Sequence, residues 1–247
     1  MLRTYSASDF TDLYLEVVND CYYNPDFISA PRELKTNEIL NACVEYTNPE
    51  AGAVIDFKRT GMPSRQEVYD KYRAKELAWY LSGSLQVKAI GGFWKGIANH
   101  AGNVVSNYGF IVLYDKKYNW QNSGELITGF EHVVRTLTDS QDSRRAVLHY
   151  NEPRHYAAFP AVDIPCSVID QFFIRDNTIY MTHVMRSQDL GKGYTYDCPW
   201  ACNLLKLVKA ELEKRLNKSL DFGSVTFFDS SLHFYHTDST IKNILGL

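Results

Sequence analysis

The chain has few cysteines, no marked excess of either charge and no long apolar run. Its five cysteines (Cys21, Cys43, Cys166, Cys198 and Cys202) among 247 residues are an odd number without a repeating spacing. That argues against a disulfide scaffold and leaves reduced thiols as the expectation. Cys198 and Cys202 stand one helical turn apart, but no second Cys/His pair at finger-like spacing accompanies them, so no metal is expected. With 26 Lys and Arg against 29 Asp and Glu, the net charge of -3 offers no general attraction for nucleic acid or an anionic membrane. An anionic ligand would need a local cluster of cations. No apolar run approaches the roughly 18 residues of a membrane span, and the opening MLRTYSASDF has no apolar core. A cytoplasmic protein is expected. No repeat, low-complexity tract or Pro/Gly-rich linker divides the chain, so residues 1–247 are expected to form a single domain.

What is present is an irregular alternation of strand and helix patterns. Apolar spacing predicts a first helix over 8–18, a strand over 38–46 and a loop over 50–63. Ser64-Arg65-Gln66-Glu67 matches a capping box and predicts a helix through Leu81, stopping before Gly83. A further helix is predicted over 123–137, a β run over 144–150 and a hairpin over 165–185. A long helix is predicted from Asp197-Cys198-Pro199, with proline in its first turn, to about Leu216. Two strands follow, over 225–228 and 232–235. This order favours an α+β fold with a mixed sheet over a doubly wound one. Aromatic content is 14%, with 17 Tyr, which suits either a planar ligand or large sheet faces.

The most informative stretch runs from Pro165 to Asp197. Two apolar segments joined by Arg175-Asp176-Asn177 read as a β-hairpin. Closing it sets Cys166 at the entry beside Arg186 at the exit, 20 residues later. A cation next to a thiol lowers its pKa and makes a nucleophile, although free cysteines are more often buried and inert. Arg144-Arg145 and Arg186-Ser187 could together clamp a phosphate; an exposed strand end with solvated arginines fits the first pair equally well. Glu76 lies in a helix beside apolar positions. If it faces a pocket, its pKa is raised and it can shuttle protons; otherwise it is a solvated helix residue. Asp197 precedes Cys198-Pro199 and makes a good helix N-cap, a role that does not exclude ligand contact. His233 and Tyr235 point to one side of a strand, suited to gripping a sugar hydroxyl or simply lining a polar face.

In order and spacing these segments resemble one family. The stretches Lys75-Glu76-Leu77-Ala78-Trp79-Tyr80, Ser106-Asn107-Tyr108-Gly109-Phe110, Asp142-Ser143-Arg144-Arg145, Pro165-Cys166 with Gln171-Phe172, Arg186-Ser187-Gln188-Asp189 and Ser231-Leu232-His233-Phe234-Tyr235 span most of the chain. The chain is similar to the thymidylate synthase superfamily, and within it to the phage-type deoxycytidylate hydroxymethylases. The resemblance implies a mixed β-sheet with flanking helices, its sheet packed face to face with its twin in a homodimer. It implies a transferase that uses 5,10-methylenetetrahydrofolate as co-substrate, without a metal, on a pyrimidine nucleotide. Cys166 would be the nucleophile, Glu76 the proton-handling carboxylate, and Tyr108 a support for proton transfer. Arg186 and Ser187 would bind phosphate, joined by Arg144 and Arg145 from the partner subunit. His233 and Tyr235 would hold the sugar 3′-hydroxyl, Gln171 would belong to the substrate-binding set, and Asp189 and Trp94 would lie near the folate.

Asp197 discriminates within the family: synthases acting on uracil carry asparagine there, the phage hydroxymethylases aspartate. Cytosine presents an amino donor and a ring acceptor where uracil presents the reverse. The implied substrate is therefore dCMP, and the implied product 5-hydroxymethyl-dCMP, made in a host's cytoplasm if a phage encodes the protein. The implied route adds Cys166 to C6, makes C5 a nucleophile toward the folate methylene, and adds water to the resulting exocyclic methylene. The alternatives are a folate-dependent C5 methyltransferase acting on dCMP or dUMP, and a catalytically silent nucleotide-binding homologue. Some residues depart from the synthase pattern: Ser167 replaces a histidine after the nucleophile, Trp94 stands where synthases carry a pair of tryptophans, and the tail after Tyr235 is short. Arg32 is the nearest candidate for the arginine-bearing N-terminal phosphate loop.

Overall fold

Asp176 and Asn177 both take positive φ, 46° and 63°. This is the mirror-image turn whose twist matches two antiparallel strands, and it closes the predicted hairpin. The structure, a computed structural model, describes residues 2–152 and 164–247. In chain order its elements are β1 (Arg3–Ala7), α1 (Phe10–Tyr23), β2 (Phe27–Ser29), β3 (Thr36–Tyr46), α2 (Gln66–Leu81), α3 (Tyr108–Leu113), β4 (Lys116–Asn119) and β5 (Leu126–Thr128). There follow α4 (Gly129–Asp139), β6 (Val147–His149), β7 (Ser167–Arg175), β8 (Thr178–Met185), β9 (Gln188–Asp189), α5 (Tyr194–Leu216), β10 (Asp221–Tyr235) and α6 (Ser239–Leu245).

The main sheet runs β1-β3-β10-β8-β7-β6, with β2 sharing an edge of β3 and β9 an edge of β10. β1 with β3 and β8 and β9 with β10 are parallel; the other pairs are antiparallel. The mixed sheet with flanking helices is therefore as anticipated. Alternation divides its residues between two faces. Phe172, Ile174, Ile179, Met181, Val225 and Phe227 are buried on one face. α1 and α5 cover that face through Tyr194, whose ring lies against Phe10, Tyr14 and Phe227. The opposite face carries Ile169, Phe173, Tyr180, Val184 and Phe228, which stay partly exposed.

Several boundaries differ from the sequence expectation. α5 begins at Tyr194, so Pro199 sits inside the helix rather than in its first turn. The carbonyl that the missing proline N–H leaves free is that of Thr195, and it accepts from the Tyr69 hydroxyl at 3.0 Å. The capping box does not form: the helix starts at Gln66, whose side chain instead accepts from Phe57 N–H (2.7 Å) and donates to the Ile55 carbonyl (3.2 Å), tying down the preceding loop. α4 starts at Gly129, capped by the Thr128 hydroxyl, and the residues before it form β5. The β run over 144–150 shrinks to Val147–His149. The two strands expected over 225–228 and 232–235 are one, because Asp229 is buried in the sheet instead of turning. α1 extends to Tyr23, and β1, β2, α3, β4, β9 and α6 are additional to the sequence reading.

Candidate active site

The hairpin pairs Ser167 with Met185, which places the residues just outside it side by side. Arg186 N–H donates to the Cys166 carbonyl at 2.9 Å. Its guanidinium lies 3.6 Å from the Cys166 sulfur and donates to the carbonyls of Pro165 (3.1 Å) and Ile164 (3.0 Å). Backbone and side chain thus lock a fixed cation against the thiol, an arrangement that favours the thiolate. Ser187 is half-buried directly after it.

Two desolvated carboxyl groups, the buried Glu76 and the half-buried Asp197, belong to the same neighbourhood. Glu76 falls on the buried stripe of α2 with Tyr69, Trp79 and Tyr80, not on its solvated face. Burial pushes its pKa up to about 8; the adjacent Asp197 raises it further, while hydrogen bonds from Trp94 and Tyr72 hold it down. The Trp94 indole N–H donates to Glu76 Oε1 at 2.8 Å. Asp197 does not cap α5: the cap is Gly193, and the Asp197 N–H is already engaged with the Gly193 carbonyl at 2.8 Å. Asp197 is half-buried, and desolvation pushes its carboxyl up to about 7, opposed by His183 and a hydrogen bond from Gln188 and reinforced by Asp189. Near neutral pH both groups therefore hold a proton for much of the time, so each can donate as well as accept.

The other candidates fall into two sets. Tyr108, at the head of α3, is buried and hydrogen-bonded to Ser167; burial, with Asp197 and Cys166 nearby, suppresses its ionisation. β9 pairs with β10 so that Asp189 faces His233 in register, and the His233 ring meets Tyr235 edge-on at 5.4 Å. Burial raises the Asp189 pKa, and His233 opposes the shift. Trp94, in the turn Gly92–Gly96, is buried and packs tilted against Trp79 (57°) and the exposed Phe93 (52°). By contrast, Arg144 and Arg145 are exposed at the head of β6. Gln171 takes the opposite face of β7 from Asp170 and donates to the Arg144 carbonyl at 2.8 Å. Within one chain it therefore braces that arginine segment. Arg32 lies in the turn Pro31–Glu33.

One group went unnoticed in the sequence. Asp170 on β7 and His183 on β8 are paired in register, wholly buried, and joined at 2.5 Å. Tyr150 donates to the other Asp170 oxygen at 2.6 Å and receives the Trp200 indole N–H at 3.2 Å. The available signal was polar residues at core-facing positions of the hairpin, in line with Phe172 and Met181.

A family model described as thymidylate synthase matches residues 15–243. The deoxycytidylate 5-hydroxymethyltransferase of Enterobacteria phage T4 is 27% identical over 218 residues, covering 85% of this chain and 80% of that protein. A putative thymidylate synthase of Methanocaldococcus jannaschii is 23% identical over 232 residues, 93% of this chain and 87% of the relative. In fold, the chain is similar to thermostable thymidylate synthase A from Bacillus subtilis. The TM-score is 0.70 at 18% identity, covering 96% of this chain and 84% of that one.

Proposed function

This chain belongs to the thymidylate synthase family, and from that premise we propose that it is a deoxycytidylate 5-hydroxymethyltransferase, converting dCMP to 5-hydroxymethyl-dCMP. The observation that carries the reading is Asp197, a desolvated carboxyl that does not cap its helix and whose pKa, pushed up to about 7, leaves it both donor and acceptor. One oxygen can accept from the cytosine amino group while the protonated one donates to N3, a match that uracil's inverted edge does not offer. The 27% identical phage T4 relative, named for deoxycytidylate hydroxymethylation, supports the same choice.

Cys166 thiolate, held by Arg186, forms the bond to C6; Asp197 donating to N3 withdraws charge from the ring and lowers the barrier to that addition. Arg186 and Ser187 hold the phosphate, with Arg144 and Arg145 reaching it from a partner subunit. His233 and Tyr235 grip the 3′-hydroxyl. Tyr108 assists removal of the C5 proton. Glu76, mostly protonated at neutral pH, orients the water that becomes the new hydroxyl, and the C6–sulfur bond then breaks to release Cys166. When bound, 5,10-methylenetetrahydrofolate supplies the one-carbon unit. The exposed Phe93 ring beside Trp94 and the Asp189 carboxyl fit a pterin, which needs an apolar surface and a polar acceptor.

The test is product mass after incubation with methylenetetrahydrofolate and either dCMP or dUMP, with dihydrofolate followed in parallel. Expected are 5-hydroxymethyl-dCMP and no dihydrofolate. Dihydrofolate appearing in step with nucleotide consumption would instead identify the C5 methyltransferase. In the same assay Asp197→Asn should shift the dCMP-to-dUMP rate ratio toward dUMP by about 10- to 100-fold, the worth of one bidentate base contact. An unchanged ratio would leave Asp197 without a role in base choice.

A further inference from the structure

Behind the nucleophile runs a continuous buried chain of polar groups that the mechanism above does not use. Trp200 donates to Tyr150, Tyr150 to Asp170, and Asp170 holds His183 Nδ1. The other ring nitrogen, Nε2, lies 3.3 Å from the Ser167 hydroxyl and 3.1 Å from the Met185 sulfur. Ser167 directly follows Cys166 and is hydrogen-bonded to Tyr108. Five parts of the fold converge here: β7, β8, the end of β6, the first turn of α3 and, through Trp200, α5. An imidazole from β8 thus reaches the side chain next to the nucleophile, where the synthase pattern has a histidine and this chain has serine.

We propose that His183, locked by Asp170, is a positioning residue of this site that sets the direction of the hydroxyl chain Ser167–Tyr108 beside Cys166. Its Nε2–H donates to Ser167 Oγ, a far better acceptor than the Met185 thioether. The Ser167 hydroxyl hydrogen is then directed to the Tyr108 oxygen, and the Tyr108 hydrogen is left to donate into the pocket and orient the water whose lone pair accepts the C5 proton. Without that donation the Ser167 hydroxyl is free to reverse, toward the Met185 sulfur at 3.7 Å, and Tyr108 loses its orientation. The groups facing His183 are Asp170 on β7, Tyr150 beyond β6, Asp229 on β10 and Asp197 on α5. Burial alone would lower the His183 pKa, but Asp170, with Asp197 and Asp229, outweighs burial and raises it. That upward direction favours the doubly protonated ring, in which Nδ1–H donates to Asp170 and Nε2–H to Ser167.

The inference rests on Cys166 acting on a pyrimidine ring, and its test separates the two claims. Tritium release from C5-labelled dCMP and dUMP is measured against pH for the wild-type enzyme and for His183→Leu, His183→Gln and Ser167→Ala. His183→Leu and Ser167→Ala should lower kcat on the order of 100-fold, the cost of a misplaced reacting group, with KM for nucleotide within about threefold. His183→Gln, whose amide can still donate to Ser167, should recover about tenfold of that loss and abolish the fall in rate as His183 deprotonates at high pH. Ser167→Ala, a small change, keeps the question open to experiment if His183→Leu does not fold. Wild-type release with undiminished kcat and an unchanged pH profile in folded His183→Leu or Ser167→Ala would overturn the positioning role alone. No release from the wild-type enzyme with either nucleotide would overturn the reaction itself, and the positioning role with it.

Discussion

Asp229 is a carboxyl group buried in the sheet whose two oxygens have no hydrogen-bond partner among the described groups. Desolvation pushes its pKa from the ordinary 3.8 up to about 7, with His183 opposing and Asp197 reinforcing. The folded chain therefore binds the Asp229 proton more tightly than the unfolded chain does. Below pH 3.8 both states are protonated and the group is neutral in its effect. Between 3.8 and about 7 only the unfolded state releases the proton freely, so stability falls as pH rises. Asp229→Asn should thus gain stability over wild type through that window, by up to about 1.4 kcal/mol per pH unit. Denaturant melts at stepped pH check this, and a constant gap would show that Asp229 stays ionised or finds a partner. Asp197 and Asp229 share a neighbourhood with a single imidazole, so protons rather than counter-ions neutralise most of this cluster.

At the scale of elements, the site depends on how closely helices approach one another. α3 carries Tyr108 and α2 carries Glu76; they meet where Gly109 has no side chain. A Cβ at Gly109 would stand 2.2 Å from the Tyr80 carbonyl oxygen, a backbone atom that cannot swing aside. Gly109→Ala must push the two helices apart, at a cost of about 1–3 kcal/mol for overpacking, and should lower kcat because Tyr108 and Glu76 no longer face one pocket. Denaturant midpoints and kcat measured together test this; wild-type values for both would refute the close approach. The elements also show what local sequence conveys. The hairpin was legible because Asp176-Asn177 favours one turn and the turn sets the register. The start of α5 was not, because the rule that proline belongs in a first turn is overridden by a distant hydroxyl, Tyr69, that satisfies the orphaned carbonyl.

For the whole molecule, one sheet face is covered by helices and the other is not. Tyr180 on that second face is 37% exposed, and Ile169, Phe173, Val184 and Phe228 beside it are half-buried. This face suits the proposed homodimer, in which each subunit lends Arg144 and Arg145 to its twin; Gln171, on the same face, braces them. If those arginines act in trans, Cys166→Ala and Arg145→Ala chains, each with little activity alone, should complement when mixed. Random exchange makes half the dimers mixed, each with one intact site, so about a quarter of wild-type activity should return. No recovery after verified subunit exchange would place Arg145 in its own subunit's site or outside any.

Amino-acid order alone determined the mixed strand-and-helix content, the hairpin and the pairing of Cys166 with Arg186, because a tight turn fixes its own two ends. It also carried the family, since the ordered motifs do not depend on knowing how they pack. Tertiary structure decided the state of each group. Asp197 as a cap and Asp197 as a desolvated acid look identical in local sequence, and only the start of α5 at Tyr194 separates them. Glu76 is a proton-bearing group because tertiary packing buries it, a desolvation that outweighs the opposing hydrogen bond from Trp94. Asp170 and His183 could be placed on a face by alternation, but not joined to Tyr150, Ser167 and Tyr108, because residues far apart in sequence meet only when the sheet and its helices close over them.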